Sequence, residues 1–272
     1  SSSIDVMTTA SPYTETRTQG SLAFDLLQGK TQYSVSYTLS DESDYTANTA
    51  SLDVSQDIFG DLTTVSFGFS QGWDDVRKNG DDAFEEAVDR RNYRLGVTQV
   101  LTRNMLMSLN LETVTEEGYL QNPYRTMRYY GPEPGFYSRG PETFPNTRTS
   151  TAGSGRVMYY LPWRASVSGM YRYISDTWDI RAHTAERAYA QPMLGRWTFT
   201  GSYRFYSQNN ASFYSDLFPR ANYQNFQSRD KELATYTGHT IGVGASYNFP
   251  VTWFSWLKRG ELNFQFDHMM ID

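Results

Sequence analysis

Apolar and polar residues alternate one by one through many segments of this chain. Between residues 32 and 39, tyrosine, valine and leucine occupy the odd positions, whereas glutamine, serine and threonine occupy the even ones. The pattern recurs in 64–70, 92–98, 105–112, 196–205, 240–247 and 261–266. Successive side chains of a β-strand point to opposite faces of the sheet, so a period of two predicts strands with one apolar and one polar face.

Turn residues divide this pattern into twelve predicted strands with two kinds of connection. The strands are expected at 15–28, 31–43, 46–57, 62–73, 90–101, 105–117, 148–161, 164–176, 180–191, 196–207, 235–248 and 259–272. Short connections are expected at Gly29–Lys30, Phe59–Asp61, Thr102–Asn104, Pro162–Trp163 and Pro192–Gly195, and long loops at 74–89, 118–147 and 208–234. Short turns on one side and long loops on the other are typical of outer-membrane barrels, whose short turns are periplasmic and whose long loops are extracellular.

A soluble β-sandwich would alternate in the same way, with its apolar face inward. The predicted strands are about twice as long as the ~5–6 residues of globular proteins and suit a tilted transmembrane strand. Aromatic residues make up 16% of the chain and the mean hydropathy is -0.61, which a barrel can reach because polar residues alternate with lipid-facing ones. No stretch approaches the ~18 apolar residues of a membrane-spanning helix. The sequence therefore predicts one all-β domain over 1–272, a transmembrane antiparallel up-and-down β-barrel in a Gram-negative outer membrane, surrounded by outer-membrane lipid and lipopolysaccharide.

The two ends of the chain bear on how complete this barrel is. Residues 1–14 contain no basic segment followed by an apolar one, so no signal peptide is recognised. The first predicted strand descends from the extracellular side and the last strand returns to it. Because a complete barrel of this type starts and ends in the periplasm, we expect at least one further strand beyond each end.

Long stretches of the chain also resemble a known family. The matching segments are IDVMTTASPYTE (4–15), QDIFGDLTTVSFGFSQGWD (56–74), DRRNYRLGVTQVLT (89–102), EGYLQNPYRTMRY (117–129), SDTWDIRAHTAE (175–186), FYSDLFPRANYQNFQSRDKELATYTGHTIGVGASY (213–247) and ELNFQFD (261–267). They are similar to an uncharacterised family of proteobacterial outer-membrane proteins, known as a conserved domain of unknown function. The resemblance implies about sixteen strands in the complete protein, with residues 1–14 as an extracellular loop. One departure is Arg187, where the family carries an apolar residue that faces lipid.

The resemblance also implies a biological setting, although it assigns no activity. Genes of this family are associated with a small lipoprotein, a thioredoxin-like protein and an enzyme that attaches flavin to exported proteins. This implies a link to extracytoplasmic redox or metal handling, with a small lipoprotein or a redox protein as a possible partner. It implies no cofactor in the chain itself.

Charged residues of both signs are expected on the polar face, which would line the lumen. They are Asp25, Asp53, Arg94, Glu112, Arg164, Arg172, Arg196, Arg204, Glu261 and Asp267. Lumen charges tune the selectivity of a water-filled path. Alternatively, these residues pair with each other across the interior and close it.

The predicted loop 74–89 is strongly acidic. Its weak candidates for metal ligands are Asp74, Asp75, Asp81 and Asp82, since carboxylate clusters suit hard cations such as calcium. Their spacing does not match an EF-hand loop. A solvated loop that the charge excess keeps soluble is the favoured interpretation, so no metal site is predicted.

The predicted loop 118–147 combines aromatic, arginine and proline residues. Tyr129, Tyr130, Phe136, Tyr137 and Arg139 are candidates for contact with an extracellular ligand or partner, because aromatic and arginine residues dominate binding hot spots. The same loop could equally fold into the lumen as a constriction. Residues 208–234 have a similar composition and the same two interpretations.

Catalysis is not expected from this chain. Outer-membrane hydrolases require a histidine beside a nucleophile or carboxylate. Of the three histidines, none neighbours an obvious nucleophile, and His239 shares a strand face with Ile241, as an interfacial residue would. The net charge of -6 disfavours nucleic-acid binding. The first functional hypothesis is a porin-like channel or conduit, and the alternative is a non-conducting scaffold that anchors a lipoprotein or a redox partner.

Overall fold

The computed structural model describes residues 16–131, 136–250 and 259–272, so the predicted loop 1–14 lies outside the described residues. The described part consists of strands joined by turns and loops, with one 3-10 helix at Lys231–Leu233. The strands are β1 (Thr18–Gln28), β2 (Thr31–Asp41), β3 (Tyr45–Ile58), β4 (Thr63–Lys78), β5 (Asp81–Thr102), β6 (Met105–Gly118), β7 (Thr126–Tyr130), β8 (Tyr137–Pro141), β9 (Thr147–Tyr160), β10 (Ser166–Asp176), β11 (Arg181–Met193), β12 (Trp197–Gln208), β13 (Tyr236–Pro250) and β14 (Arg259–Ile271). In these residues no helix is long and apolar enough to cross a membrane.

Twelve of these strands form one antiparallel up-and-down sheet. Their order is β1-β2-β3-β4-β5-β6-β9-β10-β11-β12-β13-β14, so each strand pairs with its neighbours along the chain, apart from the hairpin β7–β8. That hairpin is a separate two-stranded sheet inside the connection between β6 and β9. The twelve predicted strands and their antiparallel order are thus confirmed. Within the described residues, β1 and β14 form the two edges of the sheet.

The two ends of the sheet differ in their connections, as the sequence predicts. At one end β1 and β2 are joined by Gly29 and Lys30 alone, and β5 and β6 by Arg103 and Asn104. We call this the short-turn end. At the other end lie the connections 119–146 and 209–235, and we call this the long-loop end.

The prediction of a long loop at 74–89 is wrong in its secondary structure. Strand β4 continues to Lys78 and β5 begins at Asp81, so only Asn79 and Gly80 connect them. Asn-Gly is a strong hairpin signal, and Gly80 has a φ of +87°, which glycine adopts without strain. The acidic residues that suggested a solvated loop are therefore all strand residues.

Large hydrophobic side chains of the sheet are exposed on one of its two faces. Leu22 is 78% exposed and Phe264 is 68% exposed, and leucine, valine, phenylalanine and tyrosine line the same face of the other strands. We call this the apolar face and the opposite one the polar face. The buried hydrophobic cluster lies instead among the connections at the long-loop end: Phe144, Trp178, Ile180, Ala211, Phe213 and Leu233. An exposed apolar band of this size is expected for a surface that contacts lipid or another protein.

Candidate functional site: the ion-paired polar face

One row of cross-strand partners carries charge across six neighbouring strands. The register aligns Asp25 with Ser34, and Ser34 with Asp53. Asp53 in turn aligns with Gly68, Gly68 with Arg94, and Arg94 with Glu112. Residues aligned in this way lie on one face of the sheet. The structure therefore brings together four of the predicted lumen residues, Asp25, Asp53, Arg94 and Glu112, which are far apart in sequence.

A second row continues the charge pattern over β9 to β12. Arg156 aligns with Met170, Met170 with Glu186, and Glu186 with Arg204. Of these charged residues, Arg204 was among the sequence candidates, whereas Arg156 and Glu186 were not. Arg156 shares its even parity with Ser150 and Ser154 of β9, which was an available signal. In β11 the odd positions carry Arg181, His183 and Arg187, so alternation gave no signal for Glu186.

Ion pairs join the charges of these rows. Nη2 of Arg94 donates to Oδ1 of Asp53 at 2.8 Å, and Nη2 of Arg172 donates to Oε2 of Glu112 at 2.7 Å. Nη2 of Arg156 lies 3.3 Å from Oε1 of Glu186. These side chains are between about one quarter and one half exposed. Such pairs contribute at most about 1 kcal/mol each to stability, so their effect is mainly on the electrostatic field above the sheet.

Glycine permits the pair between Asp53 and Arg94 to form. The two residues belong to β3 and β5, and Gly68 of β4 lies between them. A Cβ atom at Gly68 would sit 2.3 Å from Oδ1 of Asp53 and 2.7 Å from Nε of Arg94. Only glycine, which has no side chain, leaves room for the ion pair of Asp53 with Arg94. The pair therefore requires glycine at position 68.

The row borders an open cavity of about 570 Å³ on the polar face. Its polar lining includes Gln32, Ser34, Asp53, Arg94, Glu112 and Arg172. Donors and acceptors thus surround the cavity on several strands. A surface of this composition can hold water and small ions, and both signs of charge are within reach of a solute.

The remaining sequence candidates for the lumen occupy different positions. Glu261 and Asp267 are on β14, where Asp267 aligns with Gly242. Arg164 and Arg196 lie in short connections, between β9 and β10 and between β11 and β12, so they are at the short-turn end of the sheet. They do not join the row of Asp53, Arg94 and Glu112.

A further charged cluster lies on the polar face, nearer the long-loop end of the sheet. The sequence did not predict it. Asp74 is 4% exposed, and its carboxylate accepts hydrogen bonds from Arg90 and from the hydroxyl of Tyr45. Nε of Arg90 also donates to Glu116 at 3.1 Å. Asp74 was a weak metal candidate, but its carboxylate is engaged by Arg90. Of the described residues, no group of three or more histidine, cysteine, aspartate or glutamate side chains could hold a metal ion.

The two long connections pack against each other as a cap over the long-loop end. Thr143 and Gln227 exchange two backbone hydrogen bonds of 2.8 and 2.9 Å, and the Phe218 amide donates to the Arg128 carbonyl at 2.9 Å. Arg125 forms an ion pair with Asp230. We call the described residues of 119–146 and 209–235 together the cap. The two connections thus form one packed structure, which also leaves a surface exposed.

That surface is the hairpin β7–β8. Tyr130, Phe136 and Tyr137 are 53%, 65% and 60% exposed, and Arg139 is exposed on the same hairpin. The rings of Tyr130 and Tyr137 are 5.9 Å apart. Tyr129 forms an isolated parallel β-bridge with Phe218. Four of the five residues predicted to contact a partner, Tyr130, Phe136, Tyr137 and Arg139, are thus exposed.

Comparison with solved structures shows a likeness of fold. An anion-selective porin from Comamonas acidovorans superimposes with a TM-score of 0.51 at 14% identity, over 72% of this chain and 51% of the porin. CdiB from Acinetobacter baumannii gives 0.44 at 8% identity, over 94% and 57%, and BamA from Haemophilus ducreyi gives 0.38 at 9%, over 94% and 70%. The chain thus spans about half the length of the porin. The fold is that of an outer-membrane β-barrel: all-β, antiparallel and up-and-down.

The sequence also places the chain in a family. Residues 1–94 and 85–267 match the family described as a protein of unknown function, DUF3570, and the chain belongs to that family. No curated protein sequence matches the chain.

Proposed function

We propose that this chain forms the wall of a porin-like conduit in the outer membrane of a Gram-negative bacterium. The polar face lines a water-filled interior, the apolar face contacts lipid, and the cap lies at the extracellular mouth. The observation that supports this proposal is the distribution of side chains between the two faces of the sheet. Large apolar side chains are exposed on one face, and ion pairs lie on the other.

The row through Asp53, Arg94 and Glu112 is the proposed selectivity region. Its charges are only partly neutralised, since each side chain keeps a quarter or more of its surface exposed. A solute that passes the cavity meets arginine donors beside carboxylate acceptors on adjacent strands. Small hydrophilic solutes and ions are the substrate class that such a wall admits. The porin of similar fold is described as anion-selective, but identity of 14% carries only the fold.

Planar-bilayer recording of the full-length protein tests this proposal. We expect steady ion currents, with a reversal potential that moves toward anion selectivity in Glu112→Gln, because Arg172 loses its carboxylate partner. Arg172→Gln should move it the other way. Leu111→Met, on the apolar face of the same strand, is the matched control and should leave the reversal potential unchanged. Absence of current from the folded full-length protein, including a variant whose cap has been shortened, would overturn the proposal.

A second candidate function is a membrane scaffold that holds a partner protein. The observation that favours it is the exposed surface of Tyr130, Phe136, Tyr137 and Arg139 on β7–β8, which has the composition of a binding hot spot. A small lipoprotein or an extracytoplasmic redox protein is the kind of partner proposed. Site-specific photocrosslinking from position 137 in native membranes tests this role. A single discrete adduct that Tyr130→Ser abolishes would support the scaffold, and no adduct would contradict it.

A further inference from the structure

All three histidines of the chain lie on the apolar face of the sheet. His183 is on β11, His239 on β13 and His268 on β14. His183 aligns with Tyr173 and His268 with Ile241, both of which are exposed apolar-face residues. His183 and His239 are near the ends of their strands on the long-loop side, since β11 begins at Arg181 and β13 at Tyr236.

His183 and His239 have the same surroundings. The hydroxyl of Tyr171 lies 2.6 Å from Nδ1 of His183, and the hydroxyl of Tyr203 lies 2.7 Å from Nδ1 of His239. Each histidine also contacts the aromatic ring directly across the strand pair, with centroids 5.0 and 5.2 Å apart. The arrangement thus occurs twice, two strands apart, which is a separation of roughly 10 Å.

We assign to each histidine the tautomer in which Nδ1 accepts from the tyrosine hydroxyl, and this assignment decides which group the ring offers to the outside. A tyrosine hydroxyl that donates to Nδ1 leaves the proton of a neutral imidazole on Nε2. Nε2–H is then a donor, and no hydrogen bond within the described residues engages it in either histidine. Arg181 adds a guanidinium at the start of β11, on the same face as His183. Because these donors project from a lipid-facing surface, they need an acceptor outside the chain.

Apart from tyrosine, the ionisable side chains at the apolar-face positions of β10 to β13 are all basic, although Asp272 follows directly after the neighbouring strand β14, where it exchanges two backbone hydrogen bonds with Thr237. Across β10 to β13 the apolar-face positions of the described strands include arginine and histidine but no aspartate or glutamate. Toward the short-turn end, the apolar-face positions of these strands carry polar contacts without charge: Nε1 of Trp163 donates to the hydroxyl of Tyr189, which donates to Gln191 at 2.6 Å. The band of Arg181, His183, His239, Tyr171 and Tyr203 is therefore particular to the long-loop end. We call it the Tyr–His band.

We propose that the Tyr–His band binds the phosphate groups of a phosphorylated glycolipid in the outer leaflet. The inference rests on the proposed function for its orientation, since it requires the long-loop end to be extracellular. Arg181 supplies a positive charge. The Nε2–H groups of His183 and His239 supply neutral donors that are far enough apart to bind different phosphate or sugar oxygens. Tyrosine and histidine rings present apolar bodies to the acyl chains and polar edges to the headgroup, as interfacial residues do.

Lipid retention by the full-length barrel tests this inference. Purified protein in neutral detergent is titrated with lipopolysaccharide of rough type, and retained glycolipid is counted by native mass spectrometry. We expect the triple variant Arg181→Leu, His183→Leu and His239→Leu to bind at least about tenfold more weakly, since one charge-assisted hydrogen bond exceeds tenfold in Kd. Asn48→Leu is the matched control, because Tyr37 donates to Asn48 at 2.7 Å on the same face of β2–β3 without a nearby histidine.

Three outcomes would overturn the inference. They are equal retention by the triple variant and the parent protein, equal retention of glycolipid whose phosphates have been removed, and equal retention of phosphatidylglycerol, which would show only a general attraction for anionic headgroups. Conductance recorded on the same preparations separates this inference from the proposed function. Currents without selective retention contradict the lipid site alone, whereas retention without currents contradicts the conduit alone.

Discussion

The guanidinium of Arg94 on β5 and the carboxylate of Asp53 on β3 are 2.8 Å apart although β4 runs between them. The contact passes over Gly68, the one position of β4 that aligns with both residues. A charge pair on the polar face thus depends on a residue that carries no charge and no side chain.

Gly68→Val tests this dependence. The new side chain would occupy the space of the ion pair, so we expect the pair to separate and the barrel to lose about 1–3 kcal/mol of stability, as overpacking does. Urea unfolding in detergent micelles measures the loss. Gly201→Val is the matched control, because a Cβ there meets nothing within 4 Å, and its effect should stay within about 0.5 kcal/mol. Equal losses of unfolding free energy in the two variants would show that displacement of the ion pair over Gly68 is not the cause.

Arg187 is expected to destabilise the sheet in lipid. It is exposed and aligns with Gly169 and Tyr203, so it occupies the apolar face near the middle of β11. An arginine at the bilayer midplane costs about 2–4 kcal/mol, so Arg187→Leu should raise the free energy of unfolding by about that amount in phosphatidylcholine vesicles.

The control for Arg187 is Arg181→Leu at the first residue of the same strand. Near the interface the cost of arginine falls to about 0–1 kcal/mol, so the gain there should be small. A negligible gain in Arg187→Leu would indicate that its guanidinium is compensated by something other than lipid.

Glu142 is expected to make the stability of the cap dependent on pH. Its carboxyl is 3% exposed, and burial raises its pKa although Oε1 accepts a hydrogen bond of 2.9 Å from the Arg229 amide. A group whose pKa is raised by folding contributes stability below its ordinary pKa, and this is lost as the pH rises through the folded value. Amide exchange of the cap, corrected for intrinsic rates, should therefore accelerate from acidic to neutral pH, and Glu142→Gln should remove that trend.

Asp216 in the same cap provides a control of opposite sign. The ammonium of Lys231 donates a hydrogen bond to its carboxylate and lowers the pKa of Asp216. Stability from this pair is present above the ordinary pKa of aspartate and is lost as the pH falls through the folded value. Asp216→Asn should thus affect protection at neutral pH and have little effect in acid. Parallel pH trends in the two variants would contradict both assignments.

The cap should depend on its buried aromatic cluster. Phe213 is 4% exposed, and its ring lies 5.3 Å from Phe144 and 5.2 Å from Trp178. Phe213→Ala should cost about 3–5 kcal/mol locally and expose the cap to limited proteolysis. Phe136→Ala is the control, because that ring is 65% exposed. If the cap narrows the mouth of the conduit, single-channel conductance should rise only in the Phe213 variant.

Two sequence signals were available for the features that the sequence reasoning missed. Asn79-Gly80 marks a tight hairpin, and Arg156 has the same even parity as Ser150 and Ser154 of β9. The density of acidic residues in 74–89 outweighed the turn signal. Asp74 is nonetheless buried, because Arg90 lies on the neighbouring strand to neutralise it.

The alternation of residues by itself determined the strands, their up-and-down order and which side chains share a face. These are local properties, because a strand reverses the direction of its side chains at every residue and a short turn leaves adjacent strands antiparallel. Only the tertiary structure decided which charges meet. The pair of Asp53 with Arg94, the pair of Asp74 with Arg90, the packing of the cap and the repeated contact of tyrosine with histidine all depend on register across strands. Register aligns residues that are far apart in sequence, so the alternation within a single strand does not specify it.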